Sequence, residues 1–281
     1  MSLRSHLRMD SASIDIIFEA VKSLSNTCAT VVCEMVKAKI SKDTKADKTF
    51  VTEVDLAIEK IVRDYVLLNF PEHGIVGEEN ADHNPSANIQ WIVDPIDGTQ
   101  NLVHGIPTYG IVIGVFDRET AIAGAINHPI LNLEYYAALG RGCYKNGEKI
   151  EIHDCKLGSD RRIDSQEIIT MSTRSIFERS AEESLFDSLV KDYPAHRVYF
   201  DVFSTTRAVE GQAAAVVEFN MKIWDIAATE ILINEAKGKF VKVREVQKEG
   251  SRKMYSIVAG KPTAVEQLVK ELGGYKELVL K

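Results

Sequence analysis

The sequence predicts a layered α/β (α+β) fold, and three observations carry that expectation. Two amphipathic helical patterns open the chain, a run of short β-rich segments follows, and the second half alternates strand with helix. At 281 residues the chain can bury about three quarters of its unfolded surface without a disulfide staple. No repeat, low-complexity tract or linker interrupts it. One structural unit is therefore expected over residues 1–281, with an N-terminal α+β half of about 10–155 and a C-terminal α/β half of about 165–275.

Ile14, Ile17, Val21, Leu24, Cys28, Val31, Val32, Met35 and Val36 recur at three- and four-residue intervals, which predicts one helix from about Ser11 to Lys39. A polar run, Ser41 to Lys48, breaks the pattern. Thr52 then precedes Glu53, Val54 and Asp55 and the periodic set Ile58, Ile61, Val62, Tyr65, Val66 and Leu68, an N-capped helix ending before Pro71. Strands are expected at Gly74 to Gly77, Trp91 to Val93, Ile111 to Phe116, Ala121 to Ile126 and Glu134 to Ala138. Asn146-Gly147 marks a tight hairpin between Gly142 to Tyr144 and Lys149 to Ile152.

The second half reads as strand Ile168 to Met171, helix Ile176 to Val190, strand Arg197 to Phe200, helix Thr205 to Ala213 and strand Val216 to Phe219. A helix from Trp224 to about Ala236, capped by Gly238, precedes strands Phe240 to Val243 and Ser256 to Ala259 and a last helix after Pro262.

The formal charge is −7, with 45% hydrophobic and 27% charged residues, and no basic footprint for nucleic acid or anionic lipid stands out. No apolar run approaches the roughly 18 residues of a spanning helix, and Met1 to Asp10 lacks the apolar core of a secretory signal. A cytoplasmic setting is expected. Cys28, Cys33, Cys143 and Cys155 form no C-x-x-C pair and read as reduced, packed thiols. The histidines show no zinc-binding spacing.

The chemistry concentrates in Trp91-Ile92-Val93-Asp94-Pro95-Ile96-Asp97-Gly98-Thr99. An apolar strand ends at Asp94, and Pro95 and Gly98 turn the backbone, so Asp94 and Asp97 can face one point. Two carboxylates that close repel unless a proton or a cation sits between them. The same pentapeptide is also a favourable turn by itself. Glu78-Glu79 ends another apolar run and could be a solvated loop. Asp225 could cap a helix, and Asp55 could complete a capping box with Thr52. Taken together, Glu78, Asp94, Asp97, Asp225, Asp55 and the Ile96 carbonyl form an all-oxygen set suited to Mg²⁺. Such a cluster serves hydrolysis of a phosphate monoester, which needs charge neutralisation, an activated water and a stabilised leaving alkoxide. The backbone amides of Gly98 and Thr99, at a turn into a short helix, can hold phosphate oxygens.

Gly77-Glu78-Glu79, then Asp94-Pro95-Ile96-Asp97-Gly98-Thr99, then Trp224-Asp225 resemble, in that order, the inositol monophosphatase superfamily, over about Thr52 to Gly238. Val51-Thr52-x-x-Asp55, Asn101, His104 and Pro107 fit the same pattern. The resemblance implies a five-layer αβαβα sandwich of the inositol monophosphatase and fructose-1,6-bisphosphatase type, a homodimer, two to three Mg²⁺ per active site, and inhibition by Li⁺. It also implies the ligand sets: Glu78, Asp94 and the Ile96 carbonyl for a first metal, Asp94, Asp97 and Asp225 for a second, and Glu78 for a third. Thr99 with Asp55 would orient the nucleophilic water, with Glu79 in support.

The substrate implied is a small phosphorylated metabolite. Glu218, seven residues before Asp225, falls where inositol phosphatases bind ring hydroxyls. Phe200-Asp201-Val202-Phe203 replaces their small-residue segment, and Asp201 and the spacing Ala46 to Thr52 resemble the histidinol-phosphatase branch. Asp201 and Glu218 would suit an ammonium and an imidazole better than a neutral polyol. L-Histidinol phosphate is expected ahead of inositol 1-phosphate, although Asn101 to Pro107 reads like the inositol branch. Other sugar or nucleotide phosphates remain alternatives. So does a protein-binding role, since some members of the superfamily act as partners of the transcription machinery.

Overall fold

A computed structural model describes residues 10–38, 42–44, 50–158, 162–180, 182–199, 201–248, 252–273 and 276–280. Helix α1 (Ser11–Lys37) starts where the Asp10 side chain accepts from Ser13 N at 2.8 Å. Its predicted stripe of Ile14, Ile17, Val21, Leu24, Cys28 and Val32 is buried. By length and composition α1 could cross a membrane, with a mean hydropathy of 1.3 over its most apolar stretch, so the chain does reach a mark it was expected to miss. That stripe is packed against a sheet instead. An unexpected hairpin of β1 (Lys42–Thr44) and β2 (Phe50–Thr52) follows; most of the polar run and of the Ala46 to Thr52 spacing lies outside the described residues. Helix α2 (Glu53–Asn69) opens with the predicted capping box of Thr52 and Asp55 and stops before Pro71.

Strands β3 (Gly74–Gly77), β4 (Ile89–Asp97), β5 (Gly110–Asp117), β6 (Thr120–His128), β7 (Leu133–Ala138), β8 (Gly142–Lys145) and β9 (Glu148–Ile150) form a seven-stranded sheet in chain order. Only the β3–β4 pair is parallel. A short helix, α3 (Thr99–Val103), follows β4. Asn146 and Gly147 turn the last hairpin with φ of 48° and 87°, the left-handed pair that a two-residue hairpin requires.

The second half contains β10 (Ile169–Met171), α4 (Arg174–Arg179), α5 (Glu183–Asp192), β11 (His196–Arg197), α6 (Asp201–Val209), β12 (Ala215–Met221) and α7 (Thr229–Glu235). Then come β13 (Lys239–Lys248), β14 (Met254–Gly260), α8 (Pro262–Glu271) and β15 (Lys276–Leu280). The six strands are ordered β11-β10-β12-β14-β13-β15, and β15 was not expected.

Three helices differ from expectation. The helix predicted from Ile176 to Val190 is two, because Ser180 caps the first and turns its hydroxyl back onto the Ile176 carbonyl at 2.9 Å. Helix α6 starts at Asp201, four residues before the predicted Thr205, and ends at Val209; Phe200 lies outside the described residues. The helix predicted from Trp224 begins only at Thr229, after a turn in which Asp225 Oδ2 accepts from Lys222 N at 2.7 Å. At its far end the left-handed residue is Lys237, with φ of 67°, not Gly238. Gly238 N donates to the Ile233 carbonyl and Lys237 N to that of Asn234, at 2.8 and 3.0 Å, closing a Schellman motif.

The layers run as the resemblance implied. Helices α1 and α2 cover one face of the seven-stranded sheet, α6 and α7 lie between the sheets, and α4, α5 and α8 cover the outer face of the six-stranded sheet. The middle core joins Ile92, Val112 and Ile126 of the first half to Trp224, Ala227 and Leu232 of the second.

Candidate active site

Strand β4 runs through Pro95 to Asp97 instead of stopping at Asp94. In a regular strand, residues three apart point to opposite faces. Here Asp94 pairs with Val112 and Asp97 with Gly110, so β4 holds one residue more than β5 across this stretch. The extra residue is a bulge at a proline that has no N–H to give to the ladder. It turns Asp94 and Asp97 toward the same side. The parallel register of Gly77 with Val93 brings Glu78 to the end of β4 from which Asp94 projects. Gly98 ends the strand with φ of 90°, a left-handed angle that favours glycine, and a Cβ there would press on the Asp201 carboxylate at 2.9 Å.

The Thr99 hydroxyl lies 3.1 Å from Asp55 Oδ1 and 3.0 Å from the Ile96 carbonyl; its single proton serves one of them at a time. The other oxygen of Asp55 accepts from Thr52 N at 2.8 Å and from the Thr52 hydroxyl at 2.6 Å. Asp55 is thus a helix cap and a support for Thr99 at once.

These elements enclose a cavity of about 640 Å³ whose lining includes Glu78, Asp94, Ile96, Asp97, Asp201 and Asp225, together with Gly98, Thr99 and Asn101. Asp201 begins α6 in the left-handed region, φ 56°, and accepts from Asn101 Nδ2 at 3.0 Å. Three of the residues singled out by sequence do not line the cavity. Asp55 stands behind Thr99. Glu79 lies on the loop after β3, outside the lining, with its N–H donated to Glu59 Oε2. Glu218, expected to reach substrate, is buried behind the wall, where it is hydrogen-bonded to Ser172.

Burial, followed by repulsion from Glu78, Asp97, Asp225 and Asp55, holds Asp94 well above the usual carboxylate range. Asp97 is raised in the same way, by burial and then by Asp201, Asp225, Glu78 and Glu218. Burial pushes Asp225 up to about 7 and Asp201 up to about 6. Crowded buried anions of this kind call for a counter-ion. Asp97 Oδ2 is buried with no hydrogen-bond partner, and the donors are all oxygen, which fits a hard cation. Among the described residues no three such side chains close tightly enough to cage an ion by themselves. Mg²⁺ commonly leaves positions to water and substrate oxygens in that way.

Glu59 was missed by sequence reasoning. Its carboxylate is fully buried and accepts from Glu79 N at 2.7 Å, Asn80 N at 3.2 Å, Asn80 Nδ2 at 3.1 Å and Arg63 Nε at 2.8 Å. It therefore pins the loop that carries Glu78. A signal was present, because Glu59 stands one turn after Asp55 and one turn before Arg63, on the buried face of α2. Ile106, Ile176, Phe219, Asn220 and Met221, which also line the cavity, were missed as well.

A model of the inositol monophosphatase family matches residues 14–276. A fructose-1,6-bisphosphatase/inositol-1-monophosphatase of Aquifex aeolicus is 30% identical over 211 residues, covering 72% of this chain and 75% of the relative. A histidinol-phosphatase of Mycobacterium tuberculosis is 32% identical over 197 residues, covering 70% and 75%. The solved structure of an inositol monophosphatase from Zymomonas mobilis, 23% identical, superposes with a TM-score of 0.75 over 94% of this chain and 100% of that one, and so shares the fold.

Proposed function

The chain belongs to the inositol monophosphatase family and is a phosphoric monoester hydrolase, and on that footing we propose that it hydrolyses L-histidinol phosphate in a Mg²⁺-dependent reaction. The observation that carries the metal assignment is the β4 bulge, which turns Asp94 and Asp97 to one side, into the cavity they share with Glu78 and Asp225. Glu78, Asp94, the Ile96 carbonyl, Asp97 and Asp225 would hold two to three ions. Bound there, Mg²⁺ supplies charge neutralisation, a more acidic attacking water and stabilisation of the leaving oxygen. The hydroxyl of Thr99, held by Asp55, orients the water, and Glu79 steadies that arrangement from the adjoining loop. The amides of Gly98 and Thr99 receive the phosphate oxygens.

Asp201 supports the choice of substrate. It lines the cavity beyond the metal ligands, and among the described residues no Lys or Arg joins it on the wall. An ammonium or imidazolium would add an ion pair to the hydrogen bond, whereas a neutral polyol hydroxyl could offer the carboxylate the hydrogen bond alone. Glu218 stands behind the wall, hydrogen-bonded to Ser172, and does not reach the cavity. Two relatives named histidinol-phosphatase, at 32% and 30% identity, agree with this reading. Inositol 1-phosphate is the second reading, favoured by the Asn101 to Pro107 segment and by the relative named inositol-1-monophosphatase. Phosphate release from the two substrates, measured side by side with Mg²⁺ and again after chelation, decides between them. A preference for inositol 1-phosphate would leave Asp201 a structural role; release that survives chelation would remove the metal reading.

The proposal includes Li⁺ inhibition and a homodimer, as the resemblance implies. Four free cysteines agree with a reducing, cytoplasmic setting.

A further inference from the structure

Outside the cavity, a row of side chains joins the loop after β3 to the turn after β12. Lys222 Nζ lies 3.8 Å from Glu78 Oε1 and 5.3 Å from the centre of the Trp224 ring. The Arg252 guanidinium is 4.9 Å from the centre of the same ring, and its Nη2 donates to Asp82 Oδ1 at 2.9 Å. Trp224 is buried beneath these two cations, 4% exposed. The main-chain N–H of Lys222 donates to Asp225 Oδ2. The row therefore runs from Asp82 through Arg252, Trp224 and Lys222 to Glu78, and it holds Asp225 on the way.

Glu78 and Asp225 come from opposite halves of the chain, so their separation depends on contacts between the halves, the shared core beneath Trp224 and the row above it. An exposed ion pair such as Arg252 with Asp82 contributes little alone. A guanidinium on a buried indole is attracted more strongly, because one side of the contact is already dehydrated. None of Asp82, Lys222, Trp224 and Arg252 lines the cavity. Resting on the metal assignment above, we propose that Arg252 is a positioning residue for metal binding. By holding Trp224 against the Asp82 loop, it keeps Glu78 and Asp225 at the separation a divalent cation needs. Affinity for the metal is then set in part from the outer rim of the site.

The test is a titration of the full chain with Mn²⁺, without substrate, following free Mn²⁺ by electron paramagnetic resonance. Arg252 and Asp82 are exposed, so substitutions there leave the core intact. Arg252→Ala is expected to weaken Mn²⁺ binding roughly three- to tenfold, with turnover at saturating metal unchanged. Arg252→Lys, which keeps a cation on the indole, should recover part of the loss, and Asp82→Asn should fall between. Melting temperatures without metal should stay within about two degrees of the parent. Identical titrations for the parent and Arg252→Ala would overturn the positioning role while leaving the metal site in place. A weakening that merely tracks a fall in melting temperature, with no recovery in Arg252→Lys, would also overturn it. If the parent binds no Mn²⁺, the metal assignment itself fails and the inference falls with it.

Discussion

Asn101 Nδ2 donates to Asp201 Oδ2 at 3.0 Å, joining α3 to the first residue of α6 across 100 positions of sequence. The same amide donates to the Thr108 hydroxyl at 3.2 Å, so its orientation is fixed from two sides. Asp201 is aimed into the cavity by a residue of the other half.

This contact gives the first prediction. Asp201→Ala should lower kcat/KM for L-histidinol phosphate about tenfold or more, the scale of a lost hydrogen bond to a charged group, and change that for inositol 1-phosphate far less. Paired steady-state kinetics check it. An unchanged ratio would remove Asp201 from substrate recognition.

Asp94→Asn should show two opposite effects. With Mg²⁺ present, activity should fall by roughly a hundredfold or more, since a proposed shared metal ligand is lost. With chelator present, the variant should melt above the parent. Its amide needs neither the proton that burial forces on the carboxylate nor the charge that Glu78, Asp97, Asp225 and Asp55 repel. Thermal melts under both conditions, set beside turnover, test the pair.

Glu218 should make the stability of the metal-free protein depend on pH. Burial raises its carboxyl first, and Asp201 and Asp225 add to this against the Ser172 hydrogen bond, giving about 8. The folded chain then holds a proton that the unfolded chain releases near 4.5. The sign follows: the stabilisation is complete below about pH 4.5 and is lost as pH rises through about 8. Glu218→Gln, which imitates the protonated acid, should flatten the decline in melting temperature between about pH 5 and 8. A parallel decline in both proteins would contradict the assignment.

Glu59→Ala should destabilise the chain by about 3 kcal/mol, because it strands the Glu79 and Asn80 amides and leaves Arg63 with no buried partner. Urea denaturation measures the loss. A cost under about 1 kcal/mol would mean that water replaces the carboxylate.

The sequence carried the fold where periodicity was strong. Helices α1 and α2, the meander and the Asn146-Gly147 turn follow from patterns contained within a few residues. It failed where a boundary depends on a distant partner or an unusual backbone angle. Asp201 enters α6 in the left-handed region, and Lys237 takes the position assigned to Gly238. At the site, Glu78 and Asp94 were legible as carboxylates at the ends of apolar runs, Asp97 from the turn that follows Asp94, and Asp225 only as the start of a predicted helix. The bulge that aligns the first two was not, because it shows only in the pairing of β4 with β5. Glu218 misled for a related reason: its position along β12 is plain in the sequence, but its burial behind Phe219 depends on packing.

The capping box at Thr52 has one further consequence. A helix end is ordinarily the first part of a helix to open and the first to exchange its amide hydrogens. Here one oxygen of Asp55 closes that end while the other holds Thr99. Fraying of the first turn of α2 would release the hydroxyl proposed to aim the water, so the exchange lifetime of the Thr52 amide would report how long the proposed arrangement persists between openings.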